Sequence, residues 1–440
     1  MGRAAAAERH ESGCEESLLN QEAVVVVGAG IVGLAVAYHL HRDGLPVTVL
    51  DPAPEGDKAS FGNAGGIAVT EVVPASVPGI IWQVPRWLLD PLGPLAIRPA
   101  YAPRLLPWLR LFLKAGKPPE VARIATALAA LNARVYDDLL PMLAATGLAS
   151  ELHRLGALTV YESEDAYRRE NAEWSLKRSH GIQADFLNRA ELRDLEPALG
   201  GAVACGVLTP QWSHINDPKR VTDGIRHWLA AQGVAIQAGL VVRIEAHESG
   251  FAVLKLASGG TLRCQNVIVA AGAWSGSLAA QLGEPVPLES ERGYNTTIAD
   301  PGVTLSREVI FAERKFVATP LTCGLRIGGA AEFGGLDAVA NYKRSETLAR
   351  LASIYLPALR TEGGIHWAGH RPATPDSLPV IGRSVRHANV YYAFGHGHLG
   401  LTQAATTGRL ISDLVRQRLV PIDLAPYSIA RFQKGFRRQA

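Results

Sequence analysis

The sequence has few of the features that mark disulfide-rich, metal-binding or membrane-spanning proteins. Its 440 residues include only four cysteines, which are far apart and lack metal-ligand spacing: Cys14, Cys205, Cys264 and Cys323. They give no support to a disulfide framework and predict no metal site. Scattered, reduced thiols are typical of a cytoplasmic protein. No run of about 18 apolar residues marks a helix that would span a membrane.

A strong excess of charge is also absent. The net charge is only +3, and no basic cluster is interleaved with aromatic residues, so the sequence predicts no nucleic-acid partner. With 48% hydrophobic and 19% charged residues, the chain is globular and long enough for two or three domains. Residues 1–21 mix small and charged residues without the apolar core of a signal peptide, which predicts a disordered tail.

The stretch from residue 22 to 51 has the order of a dinucleotide-binding βαβ unit. An apolar run leads into Gly28, Gly30 and Gly33 with the spacing G-x-G-x-x-G, and a helical pattern and a second strand then end at Asp51. These glycines allow a tight turn, close approach of a pyrophosphate and close packing of helix on strand. The helix N-terminus attracts the phosphates, and Asp51 stands near the spacing of a ribose-binding acid. The alternative is a tight strand-to-helix turn without a ligand.

Three later stretches contain glycine turns or loops that could also contact a ligand. The loop Ser60-Phe61-Gly62-Asn63-Ala64-Gly65-Gly66 can bring bare backbone N–H groups against a ligand, or it can be a flexible surface loop. Residues 266–274 predict a buried parallel strand ending in a glycine turn. Residues 391–402 predict a strand, a glycine turn and the start of a helix that continues to Val415.

Between these blocks the sequence changes character. Residues 74–116 combine prolines with tryptophan, leucine and arginine, including Arg86, Arg104 and Arg110. Such a mixture is found in segments that lie at a membrane interface, but the prolines argue against one long amphipathic helix. The alternative is a helical lid packed on the core. Further along, Val121 to Thr146 predicts one helix, Asp217 and Pro218 predict the start of another, and residues 251–263 predict a hairpin.

Taken together, these motifs resemble the FAD-dependent D-amino-acid oxidase superfamily, which includes glycine oxidase, sarcosine oxidase and D-amino-acid dehydrogenase. The motifs are GAGIVG, SFGNAGG, VIVAAGAW, the W-x-G-x-R-P-x-T-P-D-x-x-P-x-I-G block from Trp367, and GHGHLGLT. The second and last are most similar to the bacterial D-amino-acid dehydrogenase branch. The resemblance covers residues 22 to about 415.

The resemblance implies an α/β fold, in which a Rossmann-like FAD-binding domain is interleaved with an α+β substrate domain carrying a mostly antiparallel sheet. The predicted FAD-binding domain comprises residues 22–70, 202–285 and 360–440. The predicted substrate domain comprises residues 71–201 and 286–359.

The implied cofactor is FAD, and a single N-terminal βαβ cradle favours FAD alone over FAD with an additional nicotinamide nucleotide. If the helix after Gly400 points at the flavin N1–C2 edge, its dipole favours the reduced anionic ring. The residues expected to bind FAD lie in the glycine-rich motifs and one strand: Gly28, Ala29, Gly30, Ile31, Val32, Gly33, Asp51, Ser60, Asn63, Ala64, Gly65, Gly66, Val242, Ala271, Gly272, Trp274, Gly395, His396, Gly397, Leu399, Gly400, Leu401 and Thr402.

Arg371 occupies the position that looks like the family's carboxylate-binding arginine, and its guanidinium suits a bidentate contact. The alternative is a structural ion pair. Tyr294 is a second candidate for substrate binding through its hydroxyl, whereas Arg292 is expected to be an exposed strand residue. His396 and His398 are candidate bases, but the family's turn contributes mainly backbone.

The implied reaction is oxidation of the Cα–N bond of a small D-amino acid, D-proline and hydroxy-D-proline types included, with electrons passed to a quinone or a protein. One alternative is a glycine or sarcosine oxidase that uses O2. Another is an electron-transfer subunit that docks through residues 74–116. The expected location is the cytoplasm, with peripheral contact on the cytoplasmic membrane face as the alternative.

Overall fold

The structure, a computed structural model, describes residues 24–90 and 93–436; the predicted tail lies outside this range. The strands are β1 Val24–Val27, β2 Val47–Asp51, β3 Gly66–Ile67, β4 Leu95–Ile97, β5 Leu152–His153, β6 Ala157–Tyr161, β7 Asp185–Leu187, β8 Cys205–Thr209, β9 Ser213–Ile215, β10 Ala235–Ala238, β11 Val241–Ala246, β12 Ala252–Leu256, β13 Thr261–Cys264, β14 Asn266–Val269, β15 Glu289–Ile298, β16 Glu308–Phe311, β17 Phe316–Leu321, β18 Gly324–Phe333, β19 Ile365–Ala373, β20 Val380–Arg383 and β21 Val390–Phe394. The helices are α1 Ile31–Arg42, α2 Ile80–Leu89, α3 Ala102–Ala115, α4 Pro118–Asn132, α5 Val135–Ala145, α6 Glu164–Arg169, α7 Asn171–Ser179, α8 Arg189–Leu195, α9 Pro218–Ala231, α10 Ser275–Gln281, α11 Lys343–Tyr355, α12 Gly400–Val415 and α13 Ala430–Phe436.

A six-stranded sheet carries the glycine turns. Its order is β10-β2-β1-β14-β21-β20, and all neighbouring strands are parallel except the last pair. Alternate residues of β1 face opposite layers: Val24 and Val26 pack with α1 and α12, whereas Val25 and Val27 pack with β11–β13 and α10. Because both faces are covered, the strand is apolar throughout, as parallel strands usually are.

Helices α1 and α12 cross closely behind this sheet. A Cβ added to Gly408 would lie 2.5 Å from the carbonyl oxygen of Ala35, so only glycine permits the contact. At the start of α12, Thr402 accepts a hydrogen bond from the backbone N–H of Ala68 at 2.9 Å. The crossing therefore fixes the start of α12 against the end of the glycine loop 60–66.

A nine-stranded sheet forms the second layer. Its main path is β19-β15-β18-β17-β16-β6-β8-β7, with β4 beside β18. Only the β16–β6 and β18–β4 pairs are parallel. The long strands β15, β18 and β19 form one end, and α11 packs on one face of this end. The predicted mixed α/β architecture with a mostly antiparallel second sheet is confirmed.

Most local predictions match the structure, and one does not. Helix α9 begins at Pro218 with Asp217 as its cap, and β12 and β13 form the expected hairpin. The single helix predicted over 121–146 is wrong, because α4 and α5 are separated by Ala133 and Arg134. The break turns α5 to pack on α12, a tertiary contact that helix propensity does not encode.

Candidate FAD and substrate site

Three glycine turns meet at one edge of the six-stranded sheet. Gly28 follows β1, Gly272 lies just beyond β14, and Gly395 follows β21; these three strands are parallel neighbours. Ligands of open α/β sheets bind outside the carboxyl ends of the strands. Because all three turns lie at that edge, they can contact one extended ligand.

The first turn is shaped for close approach of backbone. Gly28 has φ +116°, and a Cβ there would lie 2.4 Å from the carbonyl oxygen of Ala270. A Cβ on Gly33 would lie 1.9 Å from the carbonyl oxygen of Gly28, so α1 packs directly on the turn. Gly30 differs, because its nearest neighbour would be the Ser60 hydroxyl at 3.6 Å. The space beside Gly30 is where a pyrophosphate would approach.

Asp51 ties the end of β2 to this turn. One carboxylate oxygen accepts a hydrogen bond from Ala29 N–H at 2.8 Å, and the other accepts one from Lys58 Nζ at 2.9 Å. Lys58 was not recognised from the sequence. On the other side, Val242 lies at an irregularity in the β11–β12 register, and its carbonyl accepts a hydrogen bond from Gln281 at 3.0 Å.

The loop 60–66 is fastened to the nine-stranded sheet. Arg326 donates to the carbonyl oxygens of Phe61 at 3.2 Å and Asn63 at 2.7 Å, and Asn295 donates to that of Gly62 at 2.7 Å. Within the loop, Asn63 accepts from Gly65 N–H at 2.7 Å. These contacts give the loop a defined conformation and argue against the flexible surface loop that was the alternative.

A single cleft of about 1650 Å³ connects these turns with the large sheet. It exceeds the volume of about 300–1,000 Å³ usual for a small-molecule site, and so it suits a dinucleotide together with a substrate. Most of the residues predicted to bind FAD line it. Four of them do not reach the cleft surface: Ala29, Gly33, Gly65 and Thr402.

The turn after β21 contributes one buried and one open histidine. His396 is bonded to the Thr407 hydroxyl at 2.9 Å, and burial lowers its pKa to about 3, so it is neutral and structural. Gly397 N–H donates to the carbonyl oxygen of Pro372 at 2.9 Å, which holds the turn beside β19. His398 opens into the cleft, and its removal from bulk water lowers its pKa.

Arg371 lies on a glycine floor formed by β15 and β19. A Cβ on Gly293 would lie 2.5 Å from the Arg371 guanidinium carbon, so the side chain lies directly over that strand. Gly369 is paired with Gly293 across the strands. The guanidinium donates to Glu291 at 2.8 Å and is 28% exposed, within the cleft. It can therefore contact a ligand carboxylate while it remains paired.

Tyr294 and Arg292 are not brought together with Arg371. They lie at the alternate positions of β15, where side chains point to the opposite face. The Tyr294 hydroxyl donates to Glu332 at 2.8 Å and accepts from Asn341 N–H at 3.0 Å. The expectation that Arg292 is exposed is wrong: it is 5% exposed, because α11 and neighbouring segments cover that face.

An acidic arm of the cleft was missed from the sequence. Glu308 lies against Gly66, accepts a hydrogen bond from Trp212 Nε1 at 3.0 Å, and is 2% exposed. Burial, together with the charge of Glu71, raises its pKa to about 8. Burial raises the pKa of Glu71, but the charge and hydrogen bond of Lys177 at 3.1 Å, together with the charges of His398 and Lys315, hold it below its usual range. Isolated acids in strands and loops form no motif, so only the fold reveals this arm.

The site fits FAD. The glycine turns leave room for a pyrophosphate, the N-termini of α1 and α12 both border the cleft, and its volume accommodates the ring system. Among the described residues, no helix is long and apolar enough to cross a bilayer.

Two proteins that match nearly the full length of this chain are named as enzymes acting on D-amino acids. The chain is 35% identical to a D-amino-acid oxidase of Bradyrhizobium diazoefficiens over 93% of this chain and 98% of the relative. It is 31% identical to a D-amino acid dehydrogenase of Xanthobacter autotrophicus over 94% of this chain and 99% of the relative.

Similar folds occur in solved structures. Glycine oxidase from Geobacillus kaustophilus superposes with a TM-score of 0.72 at 21% identity, covering 93% of this chain and 99% of its own. L-proline dehydrogenase from P. horikoshii superposes with a TM-score of 0.71 at 18% identity, covering 95% of this chain and 99% of its own. Because these identities are low, the similarity to the two structures shows the fold only.

The family model of FAD dependent oxidoreductases (DAO) matches residues 23–414. The resemblance inferred from the motifs and the predicted cofactor, FAD, are both confirmed by this match and by the full-length relatives. The chain is an enzyme that belongs to the family of FAD dependent oxidoreductases.

Proposed function

We propose that this protein oxidises the Cα–N bond of a small D-amino acid to an imine, D-proline and hydroxy-D-proline types included. The observation that carries the proposal is the position of Arg371, which lies in the same cleft as the dinucleotide turns, on a floor of glycines. FAD supplies the hydride acceptor when bound. The names of the full-length relatives support a D-amino acid as the substrate.

In this proposal the chain binds and orients the substrate. Arg371 holds the carboxylate through its free N–H groups, while Arg326 and Asn295 fix the loop that borders the flavin. The N-terminus of α12 lies at the cleft, where its dipole favours negative charge on the cofactor. Tyr294 also borders the cleft, but its hydroxyl is bonded to Glu332 and to Asn341 N–H, so in this proposal it does not contact the substrate.

The proposed electron acceptor is a quinone or a protein that approaches through helices α2 and α3. Ile80, Val84 and Trp87 lie on one face of α2 and line the cleft. The other face exposes Trp82 at 84% and Leu89 at 83%. A helix that lines an apolar arm of the cleft while exposing large apolar side chains suits contact with a membrane surface or a partner.

A second candidate is an oxidase that uses O2. It is favoured by the relative with 35% identity, which is named as an oxidase. The two candidates share substrate chemistry and differ only in how the reduced flavin is reoxidised.

An anaerobic screen tests the proposal. The FAD-loaded protein is mixed with D- and L-amino acids, proline derivatives, glycine and sarcosine, and flavin absorbance is followed. We expect bleaching by D-amino acids. Slow reoxidation in air but rapid reoxidation by a soluble quinone would identify a dehydrogenase, whereas rapid peroxide formation would identify an oxidase. If no amino acid bleaches the flavin, the proposed function is wrong.

A further inference from the structure

The carboxylate-binding arginine has an acidic partner inside the substrate cleft. Glu291 and Arg371 are directly opposite each other on β15 and β19, and their side chains meet at 2.8 Å. Both line the cleft, and the side chains are 26% and 28% exposed, so neither is sealed in the core. A ligand on the glycine floor can therefore contact both groups.

The charge of this pair differs from that of a lone arginine. A lone guanidinium attracts any carboxylate, whereas a guanidinium already paired with a carboxylate presents a positive and a negative group side by side. The ligand that complements such a pair carries both charges on neighbouring atoms, as an amino acid does. A simple carboxylic acid would place its negative charge close to Glu291 and be repelled.

The other ionisable groups around the pair do not change this balance. His398 lies near both side chains, and its removal from bulk water lowers its pKa, so it adds no positive charge at neutral pH. Glu71, which also interacts with His398, is paired with Lys177 at 3.1 Å. Glu289 lies on the same face of β15, but its carboxylate accepts a hydrogen bond from the Tyr101 hydroxyl at 2.7 Å.

We propose that Glu291 binds the substrate amine, so that Glu291 and Arg371 together select zwitterionic amino acids over carboxylic acids that lack the amine. This inference rests on the proposed function, because it names the group that recognises the nitrogen in the same site. The geometry assigns Arg371 to the carboxylate and Glu291 to the ammonium or secondary ammonium group.

Two ligands of the same shape test the assignment. D-proline and cyclopentanecarboxylate differ only in the ring nitrogen, which the second compound replaces with a methylene. Both are titrated anaerobically into the full-length, FAD-loaded wild type and E291Q variant. Cyclopentanecarboxylate affinity is measured from the perturbed flavin spectrum, and D-proline affinity from the concentration dependence of reduction.

We expect E291Q to bind D-proline about tenfold to hundredfold more weakly than wild type, because a hydrogen bond between charged groups contributes that much to affinity. Cyclopentanecarboxylate should bind E291Q as well as wild type or more tightly, because Arg371 is released from its partner. E289Q is the matched control, since Glu289 is an acid on the same face of β15 that contacts Tyr101; it should keep the wild-type preference for D-proline.

Two results would overturn the assignment. If E291Q weakens both ligands equally, Glu291 merely positions Arg371; if it weakens neither, Glu291 does not touch the substrate. If D-proline leaves the wild-type flavin oxidised, its affinity is read from the spectrum instead. Failure of the proposed reaction is thereby separated from failure of amine recognition.

Discussion

Glu308 titrates far from the usual range of a free carboxylic acid, because burial raises its pKa to about 8. It is buried against Gly66, at the end of the glycine loop 60–66, with Trp212 as hydrogen-bond donor and the Glu71 carboxylate nearby. Removal from water disfavours the charged form, so its pKa is about 8 and it is protonated at neutral pH. A neutral acid at this position avoids an uncompensated charge against the backbone of Gly66.

This protonation makes stability depend on pH. In the unfolded chain Glu308 loses its proton near pH 4.5, but in the folded chain it keeps the proton up to about pH 8. Its contribution to stability is therefore complete at low pH and is lost as pH rises through this window. We expect E308Q, which cannot ionise, to gain on the order of 3 kcal/mol relative to wild type between pH 5 and pH 8. Urea unfolding of both proteins checks this, and parallel pH profiles would contradict it.

Single residues of this kind are the part of the site that sequence reasoning misses. Arg371 was found because it stands in a recognisable block, whereas Glu291 and Glu308 stand in ordinary strands. The role proposed for Glu291 follows from the strand register, which places it opposite Arg371. Tyr294 was predicted to bind substrate through its hydroxyl, but the alternation of the strand turns that hydroxyl towards Glu332.

At the scale of elements, the β1–α1 turn separates two roles of glycine. Gly33 is required by packing, because a Cβ would lie 1.9 Å from a carbonyl oxygen, whereas Gly30 has room for one. The structure thus predicts that one glycine serves the fold and the other serves the cofactor.

Two alanine variants test this distinction. G33A should lose about 3 kcal/mol of stability or more through the steric clash. G30A should unfold within about 0.5 kcal/mol of wild type when free of FAD, yet bind FAD at least about tenfold more weakly. Thermal unfolding of the apoproteins and titration with FAD measure both. Unchanged FAD affinity in G30A would show that the pyrophosphate does not approach there.

Elements with strong local signals were predicted closely, and elements shaped by tertiary contacts were not. The sequence predicted the order of β1, the glycine turn and α1, the end of β2 at Asp51, and the extent of α12, because glycine turns mark the starts of both helices. It predicted no single long helix over 74–116, and the structure has two shorter helices, α2 and α3, with Pro85 and Pro107 inside them. The break between α4 and α5 had no local signal.

At the scale of the whole molecule, the two large sheets suggest where the chain divides. The ranges predicted for the FAD-binding domain contain β8 and β19, but these strands pair within the nine-stranded sheet. We therefore propose that both strands be assigned to the substrate domain, with the other predicted ranges retained. The cleft lies between the sheets and is lined by both.

The exposed face of α2 and α3 gives the molecule a distinctive surface. It combines the apolar side chains of Ile81, Trp82, Leu88, Leu89, Leu106 and Leu113 with the exposed basic side chains of Arg104, Arg110 and Lys114. Asp90 is the only acid in residues 74–116. This combination suits a membrane with anionic lipids.

Vesicle binding tests this surface. The protein should sediment with vesicles containing phosphatidylglycerol but not with neutral ones, and less so at high salt. R104E/R110E should bind at least about tenfold more weakly, since each basic residue contributes about 1 kcal/mol, while bound FAD is retained. The exposed Arg263 on β13 provides the control R263E. Equal binding by all three proteins would assign this face to another role.

The most direct measurement is the anaerobic reduction of bound flavin by a D-amino acid in the wild type and in R371M, with R263M as the control. Wild type and R263M should bleach at similar substrate concentrations. R371M should remain yellow with bound FAD but require about 100-fold more substrate, because a charged carboxylate contact is lost. Wild-type flavin that no amino acid reduces, or an R371M variant that is reduced as readily as wild type, would contradict the proposed site.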